Sequence, residues 1–111
     1  MSIHIIFHEQ YYNCDYAEDP AALPGRLEGI MATVKSKPDM YHITEPEPAS
    51  DRDILRAHGR GQVNIIKFNP LQYELAALAA GGAIKAAQTA FTGSPGFAVI
   101  RPPGHHASAN S

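Results

Sequence analysis

The chain contains no tryptophan and a single cysteine, Cys14. An internal disulfide is therefore excluded, which fits a reducing compartment. Cys14 has no histidine beside it in sequence and reads as an ordinary thiol rather than a nucleophile. Charge of one sign is also lacking. The formal net charge is −2 and no basic cluster occurs, so neither nucleic acid nor an anionic membrane surface is an expected partner. Long apolar runs are absent. Ile5 to Phe7 is too short for a signal-peptide core, and Leu75 to Ala90 is interrupted by Gly81, Gly82 and Lys85, too short to span a bilayer. These absences predict a soluble cytoplasmic protein. With 111 residues and 44% apolar content, there is enough chain for one small folded domain, residues 1–111.

What is present alternates between strand and helix signals. Ile3 to Phe7 is rich in β-branched residues and reads as a first strand buried on both faces. A polar and aromatic loop follows, containing Tyr11, Tyr12 and Tyr16. Its tyrosines either form a pocket rim or pack down on the sheet, and the sequence weights the two equally. A helix is predicted from Gly25-Arg26 to about Lys37. In it Leu27, Ile30, Met31 and Val34 fall at i, i+3, i+4 and i+7, and Pro38 stops it. Arg26 opens this helix, where the dipole does not favour a cation, and reads either as bound to a specific partner or as a solvated side chain.

Tyr41 to Thr44 is a short strand candidate, and Glu45 to Ser50 a stiff polar linker. Ser50 with Asp53 resembles an N-capping pair ahead of a short helix through Ile54 and Leu55. His58 is expected at that helix's C-terminal end rather than as a ligand. Gln62 to Phe68 is ambiguous between helix and strand, with helix favoured. Leu71 to Phe91 is the longest element. Leu75, Leu78, Ala79, Gly82, Ala86 and Ala90 give it a small-residue face suited to close packing, offsetting about 1 kcal/mol per interior glycine. Phe97 to Ile100 then reads as a buried strand. This order implies α/β layering with a mainly parallel sheet.

The last strand runs straight into Arg101-Pro102-Pro103-Gly104-His105-His106-Ala107. Prolines cannot continue a ladder, and Gly104 permits a sharp turn. Two adjacent imidazoles thus stand at a strand's carboxyl end, where open α/β sheets place their sites. Histidine has an ordinary pKa of about 6.5 and exchanges protons near neutrality. His4, His8, His42 and His58 are scattered, and no Asp-x-His pair occurs, so the spacing marks no metal site.

This seven-residue segment resembles the histidine-pair motif of the histone deacetylase and acetylpolyamine amidohydrolase superfamily. Phe7-His8-Glu9-Gln10-Tyr11 looks like that family's first strand and loop. Pro24-Gly25-Arg26-Leu27 resembles its channel-arginine segment, and Ala76 to Ala83 its long helix. The resemblance implies a partial arginase/deacetylase-like three-layer fold, the N-terminal third of such a domain. It implies zinc in the full-length family, but no metal ligand and no cofactor in this chain, because the family's Asp-x-His, further Asp and transition-state Tyr all lie downstream of the motif. It further implies His105 as general base, with His106 as electrostatic stabiliser or acid to the leaving amine. Arg26 and Gly104 would belong to the channel and substrate side. Acetylated lysine, an acetylated polyamine or a small acetamide would be the substrate. The chain alone would be inactive, or would be a self-associating module whose cut-off parallel sheet makes a homo-oligomer.

Overall fold

The computed structural model describes residues 2–13, 25–104 and 106–111. Cys14, Tyr16, Pro24 and His105 therefore lie outside the described residues. Strand β1 (Ile3–Ile6) leads into a 3₁₀ helix (Glu9–Asn13), followed by helix α1 (Arg26–Lys35) and strand β2 (Tyr41–Thr44). Helices α2 (Asp51–Ile54), α3 (Arg60–Lys67) and α4 (Pro70–Phe91) precede strand β3 (Gly96–Ala98). The three strands form one parallel sheet in the order β2-β1-β3. Among the described residues, no helix is long and apolar enough to cross a membrane.

Alternation along the strands sets the layers. Ile3, Ile5 and Phe7 share one face and join Leu27, Met31 and Val34 of α1, together with Leu75, Leu78 and Ala79 of α4, in a single apolar cluster. On the other face Gly96 backs directly onto Ala86 and Thr89 of α4. Ile5 and Ile6, on opposite faces of β1, are both buried, so both faces of the sheet are covered there. Ile5 and Ile6 are buried, in line with the expectation for the first strand, although Ile3 and His4 are only half-buried.

Sequence periodicity located most elements. Tyr41–Thr44 is the second strand, Gln62 to Phe68 is largely helix α3, and Ser50 caps α2 by accepting from the Asp53 amide at 3.2 Å. Three details differ. Ile30, placed on the apolar stripe of α1, is 40% exposed, because the core contacts only the Leu27-Met31-Val34 line. The predicted strand Phe97–Ile100 is instead a three-residue ladder, Gly96–Ala98, at the edge of the sheet. Phe97 faces away from α4 there and stays 62% exposed, while Val99 is buried beyond the ladder.

The third difference concerns α4. Burial extends from Leu75, Leu78 and Ala79 to Ala77 and Gly81, and it fades before Ala90. The cause is the segment Glu45 to Ser50. Read from sequence only as a stiff polar linker, it lies as a strap on the helix, with the Ala49 amide donating to the Ala77 carbonyl at 2.8 Å. A Cβ on Gly81 would stand 1.8 Å from the Glu47 carbonyl oxygen. The two backbones touch there, and only glycine allows it.

Beside the strap, Asp51 accepts from both Lys67 and Tyr73, tying α2, α3 and α4 together. The Lys67 ammonium also lies 5.2 Å from the Tyr73 ring centroid. These hydrogen bonds hold the Asp51 carboxyl below its usual range, while burial and the adjoining carboxylate push the Tyr73 phenol up to about 12.

Gly81→Ala is expected to destabilise the chain by about 1–3 kcal/mol, since the added methyl meets backbone that cannot step aside. Gly29, inside α1 with open space around it, is the control. Its replacement by alanine should stabilise by about 0.5–1 kcal/mol. Urea unfolding of both variants separates the two effects.

Candidate active-site loop

The site is built where the strands end. After β1, the 3₁₀ helix carries Tyr11 into the interior, fully buried, with its hydroxyl donating to the Leu78 carbonyl at 2.7 Å. Tyr12 packs on Phe7 with ring centroids 5.0 Å apart. Of the two readings of this aromatic loop, packing against the fold is the one realised for Tyr11. Burial raises the Tyr11 phenol far above its ordinary value, and burial followed by the nearby Glu28 and Glu9 carboxylates raises that of Tyr12. Both phenols are thus neutral near neutral pH, and Tyr11 acts as a hydrogen-bond donor.

After β3, the Val99 amide still donates to the Ile6 carbonyl at 3.0 Å, extending the pairing by one bond. Ile100 then packs against α4. A Cβ on Gly82 would stand 2.6 Å from Ile100 Cγ2 and 2.7 Å from the Tyr11 hydroxyl, so this glycine admits both side chains. Arg101 follows with 3% exposure, the only charged residue buried among those described. A cis peptide joins it to Pro102. The chain then emerges: Gly104 and His106 are exposed, and the Ala107 amide donates to the Gly104 carbonyl at 2.9 Å. Gly104 does not use the left-handed backbone region, and nothing lies within 4 Å of where its Cβ would be. Its turn is therefore open to other residues, contrary to the expectation that glycine's backbone freedom makes it. The tail returns over the α2–α3 corner, where the Gly59 amide donates to the Ala109 carbonyl at 2.8 Å.

The residues singled out from sequence are thus distributed unevenly. Gly104 and His106 lie on one exposed loop anchored by the buried Arg101, and His105 is outside the described residues. Arg26 stands exposed in the first turn of α1. His8, regarded as one of several scattered histidines, sits at the end of β1 with its Nε2 3.8 Å from Glu45 Oε2, beyond β2. Its Nδ1 accepts from the Gln10 amide at 3.1 Å. His58 lies in the turn after α2 rather than in the helix, with Nδ1 buried and accepting no hydrogen bond. A cavity of about 330 Å³ opens between the strap and α4, and neither Arg26, Arg101, Gly104 nor His106 lines it. The burial of Arg101 was not foreseen. Its signal was a cation placed directly between an apolar strand and two prolines.

Replacing Tyr11 with phenylalanine keeps the ring and removes the bond to Leu78. A loss of about 1–2 kcal/mol is expected on chemical denaturation, the usual cost of taking away a buried partner.

Comparison with known proteins agrees with this geometry. Residues 65–111 match the family model of the histone deacetylase domain, from the end of α3 through α4, β3 and the histidine loop. A probable deacetylase of Archaeoglobus fulgidus is 30% identical over 93% of this chain and 34% of its own length. A probable deacetylase of Methanothermobacter thermautotrophicus is 28% identical over 94% of this chain and 36% of its own. The chain thus spans about a third of the length of these curated relatives. Among solved structures, the HDA15 HD domain superposes with a TM-score of 0.83 at 23% identity, covering 98% of this chain and 38% of that one. The α/β fold with its parallel sheet is therefore that of the HDA15 HD domain, and the chain is a relative of the histone deacetylase superfamily that carries part of its domain.

Proposed function

We propose that this chain supplies the histidine-pair segment of a zinc-dependent, deacetylase-like amide hydrolase, and that alone it does not turn over an acetamide. The observation that carries this reading is the loop after β3. It leaves the carboxyl end of a parallel strand, is rooted by a buried arginine, and lies within the segment matched to the histone deacetylase domain. In this reading His105 takes a proton from the attacking water. His106 stabilises the developing charge or protonates the leaving amine, as an imidazole can near neutral pH. Arg26 and the side-chain-free Gly104 belong to the channel and substrate side. An acetylated lysine, an acetylated polyamine or a small acetamide is the substrate class.

Among the described residues, nothing composes a three-ligand catalytic zinc site. Among those described, no three histidine, cysteine, aspartate or glutamate side chains cluster to hold an ion, and the sequence has no Asp-x-His pair. In this reading the catalytic zinc is held by residues other than those described, and no step of the reaction is derived through it. Purified chain given zinc and acetyl-lysine peptide, acetylpolyamine or a small acetamide is expected to show no turnover above buffer. Turnover abolished by a hydroxamate would overturn the reading.

A second reading, a self-associating module, is favoured by one feature. β3 ends the sheet with Phe97 62% exposed, and Phe91 is 93% exposed just before it. Exposed apolar side chains beside an unpaired strand edge promote association. Light scattering on concentrated chain should give a dimer or larger species that Phe97→Asp shifts toward monomer. A monomer at every concentration would count against it.

A further inference from the structure

We propose that His4 and His42 form a two-imidazole chelate for a divalent transition ion of the zinc class, at the opposite end of the sheet from the histidine loop. The two residues are direct partners in the parallel register of β1 and β2, so their side chains project from the same face. On the other side of β1, the residue opposite His4 is Gly96, which adds no side chain to that row. The rings are already in contact, with centroids 5.3 Å apart and planes at 77°.

That separation is the one a shared ion needs. A zinc–nitrogen bond of about 2.0–2.1 Å plus roughly 1.1 Å from a ring nitrogen to its centroid puts each centroid about 3.2 Å from the ion, and a tetrahedral angle then separates the centroids by about 5.2 Å. The site therefore requires rotation of the rings but no movement of the strands. His4 is half-buried and His42 exposed, which leaves the outer coordination positions to water. Among the described residues no third histidine, cysteine, aspartate or glutamate joins the pair, so the ion is bound by two protein ligands. Imidazole suits zinc, copper and nickel alike, and a two-ligand site does not discriminate strongly among them. Sequence spacing did not reveal the pair, because strand pairing rather than a local motif brings it together.

Titrating the chelator-treated full chain with zinc chloride alone, by calorimetry, tests the assignment. One site is expected. His42→Ala, at an exposed position, should weaken it by at least about tenfold, the lower bound seen when even a supporting partner of a metal ligand is lost. His4→Gln should do the same, with circular dichroism confirming that both variants fold. The double variant His105→Ala/His106→Ala should retain the site. In NMR spectra the His4 and His42 imidazole signals should shift together on adding zinc. The proposal is overturned if wild-type chain binds no zinc, if the His42 and His4 variants bind it unchanged, or if the double variant alone abolishes binding.

Discussion

The seating of α4 on the rest of the chain is the constraint on which the other features depend. At Gly81 and Gly82 the helix has no side chains, and two different parts of the molecule occupy the space. The strap before α2 lays its Glu47 carbonyl against Gly81, and Tyr11 and Ile100 come up to Gly82. Each glycine inside a helix costs about 1 kcal/mol relative to alanine, a cost the propensity of the surrounding alanines only partly offsets. What outweighs it is contact that a Cβ would forbid, including the buried hydrogen bond from Tyr11 to the Leu78 carbonyl one turn earlier. One helix segment therefore fixes the aromatic turn after β1 and the exit of the chain from β3.

That arrangement explains which parts of the fold were legible in the sequence. Local patterns were read correctly where local physics decides: the Ser50 cap, the length of α4 and the second strand at Tyr41–Thr44. Errors arose where tertiary contact decides. The strap looked like a linker because polar residues and prolines carry no signal of what they lie against. Ile30 fitted the helical stripe yet stays exposed, since periodicity shows a face but not how wide a neighbour covers it. Phe97 looked like a core strand residue, but its burial depends on whether another strand stands beside β3, which four residues of sequence cannot report.

The candidate site divides along the same line. The histidine pair and its prolines were visible as a motif. The depth of Arg101 was not, because a charged residue within a strand end is buried only if its surroundings supply partners. The pairings of His8 with Glu45 and of His4 with His42 were hidden for another reason. Each joins two strands across a parallel crossover, and their sequence separation resembles no local metal or catalytic spacing.

Among the described residues β3 has no neighbour on its outer edge, and that edge links the two functional readings. A parallel sheet is ordinarily continued or covered on every side that carries apolar residues. Whatever strand pairs with the outer edge of β3 in the parallel sense ends beside residues 99–104, because parallel neighbours share a carboxyl end. A strand of a deacetylase-like remainder would thereby bring its loop next to the histidine pair and could complete the pocket. A second copy docking there would occupy the same edge and, having no Asp-x-His pair, would not complete the pocket beside the histidine loop. The two proposed readings, self-association and completion of a catalytic pocket, thus compete for one surface, and the occupant of the β3 edge would distinguish them.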